Sequence, residues 1–157
     1  LLVMDTPGHT MSHICLLSMN DNPAIFSGDT LFNAGAGNCH NGGHPEELFD
    51  TFNNQFKNLK PDTIIYPGHD YLENNLNFTL DREPNNKDAK DLLKIVKNDK
   101  NPGEIRTTLE IEGKINTFFR LSNKEIIQKL QEEFPDMSVN PSQKEVFLNL
   151  RQLRNKW

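Results

Sequence analysis

Apolar residues in the first part of the chain come in short runs, each closed by a turn former. Leu1–Met4, Ile14–Leu17, Ala24–Phe26 and Thr63–Tyr66 read as strands, and Thr6-Pro7-Gly8, Gly28 and Pro67-Gly68 stop three of them. Glycines at 35, 37, 42 and 43 predict an open loop from Asn33 to Gly43, with little burial. His44-Pro45-Glu46-Glu47 opens a helix. Proline loses nothing in a first turn, where the N–H has no partner, and two acids face the positive helix end. Leu48, Phe49, Phe52 and Phe56 give that helix an apolar stripe, and Lys60-Pro61-Asp62 ends it.

From Tyr71 onward the period changes. Leu72, Leu76 and Leu80 recur at four-residue intervals and predict a helix over Tyr71–Arg82. Asp88–Lys100 reads as a second helix, Thr107–Ile111 as a short extended piece, and Ser142–Lys156 as a last helix. Ser122–Glu133 opens with Ser122 and carries Glu125 three residues on, the capping-box spacing. The pattern is thus a β-rich α/β unit to about Asp70, followed by a helical region. The chain begins at Leu1-Leu2-Val3-Met4, inside a strand, and so reads as the rear part of a longer protein.

Composition narrows the function classes. The 157 residues carry a net charge of −5, which argues against a nucleic-acid binder with a basic face. No stretch approaches the roughly 20 apolar residues of a membrane span, and none reads as a signal peptide. Ten Phe give the core large side chains to bury. Cys15 and Cys39 make no disulfide framework, so a reducing compartment is expected: the cytoplasm, with the mitochondrion left open. Neither thiol has a basic neighbour that would make it a nucleophile.

Of the five histidines, His9 and His69 share a setting with Asp29. Each follows a glycine and stands one turn beyond a strand. Ligands of open α/β folds gather outside strand ends, and glycine admits close backbone approach. Imidazole with carboxylate suits zinc or a similar cation. Spacing alone leaves two readings open: a metal site, or polar strand ends bonded to backbone.

Three ordered motifs carry a resemblance. Thr6-Pro7-Gly8-His9-Thr10 with Ser12-His13 resembles the TPGHTxGH turn of the metallo-β-lactamase superfamily. Phe26-Ser27-Gly28-Asp29-Thr30-Leu31-Phe32 is similar to its (F/T)GDTLF motif. Tyr66-Pro67-Gly68-His69-Asp70-Tyr71 with Asn74-Asn75-Leu76 resembles the GHEYxxxNL segment of the glyoxalase II (hydroxyacylglutathione hydrolase) family. Asn116-Thr117-Phe118-Phe119-Arg120 is similar to that family's NPFLR stretch, and Arg151–Trp157 to its RxxKDxF ending.

The resemblance spans essentially the whole chain. It implies an α/β fold: the second half of an αββα sandwich over 1–82, then a helical substrate-binding region over 83–157. It implies two divalent cations, zinc with iron or manganese as alternatives. His9 would hold one, His69 the other, and Asp29 would bridge both as the catalytic carboxylate. The expected substrate is a glutathione thioester, S-D-lactoylglutathione, hydrolysed in methylglyoxal detoxification by a full-length monomer with no nucleic-acid or membrane partner. Tyr71 and Arg151 match glutathione contacts, and Arg154 stands where Lys is usual. Asn38 and His40 occupy places where the family has Lys and Tyr. The HxHxDH motif that supplies the family's other ligands is absent from this chain, so the chain alone is expected to be inactive. His13 is expected to bond backbone near the site, and His44 to stand exposed at a helix start. Two alternatives remain. One is a persulfide dioxygenase with one iron, against which stand the missing GRTDF-type loop and the long helical tail. The other is a non-catalytic fragment.

Overall fold

The computed structural model describes residues 1–157. Its strands are β1 (Leu2–Asp5), β2 (Ile14–Ser18), β3 (Ala24–Gly28), β4 (Leu31–Phe32), β5 (Gly35–Ala36) and β6 (Ile64–Pro67). Its α-helices are α1 (Pro45–Asn54), α2 (Leu72–Arg82), α3 (Lys87–Asn98), α4 (Leu109–Ile115), α5 (Lys124–Glu133) and α6 (Gln143–Arg154). β1-β2-β3-β6 form one sheet, with β1/β2 and β2/β3 antiparallel and β3/β6 parallel. β1, β3 and β6 therefore run the same way, and their C-terminal ends share one edge. That edge carries the loops holding His9, Asp29 and His69.

Side chains alternate across the pleat. Cys15, Leu17, Ile25 and Ile65 point inward and are buried. There they meet Leu48, Phe49 and Phe52 of α1, Ile126 and Leu130 of α5, and Val146, Phe147 and Leu150 of α6 in a single apolar cluster. Phe147 packs edge-on against Phe49, Phe52 and Phe118, with ring centroids 5.1 to 5.5 Å apart. The helical region thus completes the core that the sheet begins. A second cluster joins Leu72 and Leu76 of α2 to Ala89, Leu93 and Val96 of α3 and Ile115 of α4. The division at 82/83 falls between α2 and α3, which share this cluster. The opposite sheet face is largely open: Val3, Leu16, Phe26 and Tyr66 stand in one cross-strand row, with Arg106 over Tyr66. Val3 is 61% exposed, Phe26 47% and Tyr66 38%.

Three expectations are corrected. Thr107–Ile111 is extended only at its start. Thr107 O accepts the Ile65 N–H and Thr108 bridges Ile64, but Thr108 then caps α4 by accepting the Ile111 N–H. α5 is capped by Asn123, not Ser122, because Asn123 Oδ1 reaches both the Glu125 and Ile126 N–H groups. Ser122 Oγ instead accepts from Gln143. The loop after Phe32 is not open along its length: Asn33, Ala34, Gly35, Ala36 and Gly37 are buried under the helical region. Ser142 caps α6 by accepting the Glu145 N–H. No helix is long and apolar enough to cross a membrane.

Candidate active site

Parallel pairing of β3 with β6 sets Gly28 beside Pro67 and so brings Asp29 and His69 together. The turn after β1 brings His9 in from the other side. Asp29 offers one oxygen to each ring: Oδ2 lies 3.8 Å from His9 Nε2, and Oδ1 lies 3.5 Å from His69 Nε2. Glycine makes this approach feasible. A Cβ on Gly68 would stand 2.5 Å from Asp29 Oδ1. Gly28 takes φ +50°, and a Cβ there would reach within 2.7 Å of His13 Nε2.

Neighbouring groups orient the triad. His9 Nδ1 donates to the Asn38 carbonyl at 2.7 Å, which turns Nε2 toward Asp29. His13 Nε2 accepts the Asp29 backbone N–H at 3.3 Å, so its proton sits on Nδ1, between the Thr6 and Thr30 hydroxyls. Burial lowers the His13 pKa, with nearby His9 adding to the effect. A neutral ring is the form this bonding needs. His13 thus holds Asp29 in place, as expected of a histidine bonded to backbone. His69 is the more open ring and stacks on Tyr71, with centroids 5.5 Å apart.

The donor set fits part of a two-cation centre. Two imidazole nitrogens and two carboxylate oxygens face one another, and a bridging carboxylate can serve two cations. No three His, Cys, Asp or Glu side chains are arranged to hold an ion by themselves. Each cation would therefore need ligands beyond this pair of donors.

Beside the triad lies a cavity of about 210 Å³. Asn38, His40, Tyr71, Arg151 and Arg154 all line it, and no acidic residue does. All five candidate substrate contacts therefore meet in one place. Burial lowers the pKa of both arginines, that of Arg151 to about 10, which leaves Arg151 a cation at neutral pH. Arg154 lies over Trp157 and Phe78 and donates to Asn75 Oδ1 at 3.4 Å. Asn75 and Trp157 also line the cavity, though neither stands out as a site residue by sequence. Asn75 lies one helical turn past Tyr71, and that spacing is the signal available for it. Cys15 is buried beside Thr6, and burial raises its pKa to about 11. Cys39 is half-buried, and burial pushes its thiol up as well. Neither is a ready nucleophile. His44 precedes α1 with no side-chain cap bond. The largest groove, about 510 Å³ between the end of α5 and α6, holds none of these residues.

The family model described as hydroxyacylglutathione hydrolase C-terminus matches residues 70–157. The chain belongs to the hydroxyacylglutathione hydrolase family. It is 59% identical over 157 residues to the hydroxyacylglutathione hydrolase of Nitrosococcus oceani, covering 100% of this chain and 60% of that protein. It is 55% identical over 154 residues to that of a Polaromonas species, covering 98% of this chain and 59% of that protein. The chain thus spans about three fifths of the length of these curated relatives. Two solved structures share its fold. ETHE1 from Myxococcus xanthus has a TM-score of 0.52 at 24% identity, covering 97% of this chain and 52% of its own. A metallo-beta-lactamase from Staphylococcus aureus has a TM-score of 0.50 at 21% identity, covering 96% and 38%. The metallo-β-lactamase fold expected from the motifs is therefore the fold observed.

Proposed function

We propose that the full-length protein carrying this chain hydrolyses glutathione thioesters, with S-D-lactoylglutathione as substrate and glutathione and D-lactate as products. The observation that carries this reading is the pairing of the Asp29–His9–His69 cluster with an adjoining cavity that holds two arginines and no acid. Glutathione bears two carboxylates, and such a cavity suits them. His9 with Asp29 and Asp29 with His69 would each hold one divalent cation, zinc in this reading, and the pair would supply a water acidified enough to attack a thioester at neutral pH.

The chain's own residues set the rest. Asp29 keeps its two oxygens apart and aimed at the two rings. His13 fixes its backbone from behind. Arg151 and Arg154 draw in the glutathione carboxylates, Tyr71 borders the path to His69, and Asn38 and His40 close the far wall. Residues 1–82 supply the cluster and 83–157 supply both arginines, so the two parts act as one site. The expected assembly is a monomer. The free Cys15 and Cys39 suit the reducing cytoplasm.

The test is thioester hydrolysis by the full-length zinc-loaded protein, with S-D-lactoylglutathione against the same acyl group on a thiol without carboxylates. Preference for the glutathione ester supports the reading. Equal turnover of both, or of neither, overturns it.

A further inference from the structure

Arg151 is 4% exposed, although a residue that only met substrate would keep its head open. Its guanidinium lies over the Phe118 ring, 5.6 Å from the centroid. Nη1 donates to Ala36 O at 2.8 Å and to Gly37 O at 2.9 Å. Nε and Nη2 both reach Asn155 Oδ1, at 3.2 and 2.9 Å. Only one of the five guanidinium N–H groups is left over. The bonded carbonyls lead straight to the cluster. The next carbonyl along, that of Asn38, accepts the His9 Nδ1–H at 2.7 Å. Gly37 itself donates to Thr30 O at 3.0 Å, and a Cβ on it would collide with the Asp29 carbonyl. Ala36-Gly37-Asn38 is thus clamped between Arg151 on one side and His9 with Asp29 on the other.

We infer that Arg151 is a positioning residue for His9, acting through the Ala36–Asn38 backbone, in addition to any contact with substrate. The inference rests on the proposed function only in treating His9 as a metal ligand. A planar fork can hold two carbonyls and Asn155 at once, which a lysine ammonium cannot do from one point. An outer-shell partner that fixes a ligand imidazole governs metal affinity.

The test uses the full-length protein with Arg151→Met, Arg151→Lys and, as control, Arg154→Met. Arg154 lines the same cavity but bonds no loop carbonyl. Three quantities are measured: the ¹⁵N spectrum of the His9 ring in metal-free protein, zinc affinity by chelator competition, and glutathione affinity by calorimetry. Arg151→Met is expected to cost the His9 ring its single tautomer and to lower zinc affinity roughly 10–100-fold. Arg151→Lys should lose less, and Arg154→Met should weaken glutathione alone. Should Arg151→Met fail to fold, Arg151→Lys carries the same comparison. Arg151 variants that keep the wild-type His9 spectrum and zinc affinity, and weaken glutathione only as Arg154→Met does, overturn the inference. If the wild type binds no glutathione, the substrate reading falls, while the His9 spectrum still decides the positioning role.

Discussion

Glu112 holds the Ala34 backbone N–H with both carboxylate oxygens, at 2.9 and 3.0 Å, across 78 residues of chain. Ala34 is the one non-glycine residue with positive φ, 59°, and its buried amide has no strand partner. The Thr107 hydroxyl and Asn116 Nδ2 donate to the same carboxylate, and Asn116 also reaches Gly35 O. α4 therefore pins the β4–β5 turn, which continues into Gly37 and Asn38 beside His9. The helical region shapes the His9–Asp29–His69 cluster as well as the cavity.

This tie makes stability depend on pH. Burial pushes the Glu112 carboxyl up from 4.5 to about 7, against the donated bonds from Thr107, Ala34 and Asn116, which favour the carboxylate. The folded chain thus binds this proton more tightly than the unfolded one. Its stabilising share is complete below about pH 4.5 and is lost as pH rises through about 7, a change of about 3 kcal/mol. Urea unfolding at pH 5 and pH 8 should show that loss in the wild type and not in Glu112→Gln. The Gln variant carries a fixed cost of about 1–3 kcal/mol, because its amide N–H faces other donors. An equal change between the two pH values in both proteins would refute the assignment.

How much of this was legible along the chain follows from the range of each interaction. The strands, α1 and α6 rest on local patterns: short apolar runs closed by turn formers, Pro45 in a first turn, and the apolar spacing of the last helix. The cluster was legible through the three motifs that carry the family resemblance, because the glycine before each of His9, Asp29 and His69 left both a metal site and polar strand ends open. The buried half of the Asn33–Gly43 loop was not. Its small residues read as exposed, and the groups that cover them are Glu112, Asn116 and Arg151. Arg151 lies 115 residues from its partner Ala36, and no local pattern records such a pairing. α4 was hidden for a similar reason, since Thr107 and Thr108 look strand-like and do pair with β6 before the helix begins.

In the proposed function Asp29 would be the shared carboxylate, so its removal should affect both cations together. In the full-length protein Asp29→Ala is expected to lose both metals, and hydrolysis with them. Asp29→Asn keeps the shape, drops the charge and should fail in the same way. Metal analysis alongside turnover checks this: a variant that keeps two metals per chain and normal turnover contradicts the bridging role.

The open sheet face predicts association. Phe26 and Tyr66 stack with ring centroids 5.3 Å apart, in a row with Val3 and Leu16; Arg106 lies over Tyr66, while Phe26 and Val3 stay exposed. Contiguous exposed apolar surface, with β1 at a free edge, favours self-association. The 157-residue chain should bind a hydrophobic dye and sediment above monomer mass. Phe26→Ser with Val3→Lys should reduce both signals. A dye-silent monomer would mean that this face is not sticky.

Asn38 is the clearest place to change substrate affinity. Its carbonyl serves His9, while its side chain lines the cavity and accepts the His40 N–H at 3.1 Å. Exchanging the side chain therefore leaves the His9 bond in place. The cavity already holds two arginines, and Asn38→Lys would add a third cation for a ligand with two carboxylates. One new charge-assisted bond of about 1.5 kcal/mol corresponds to roughly a tenfold lower KM. The contact is remote from the reacting carbonyl, so it strengthens ground and transition states alike, and kcat should stay put. Steady-state kinetics of the full-length variant on S-D-lactoylglutathione gives both constants. A KM that is unchanged or higher would mean that this wall of the cavity faces something other than a glutathione carboxylate.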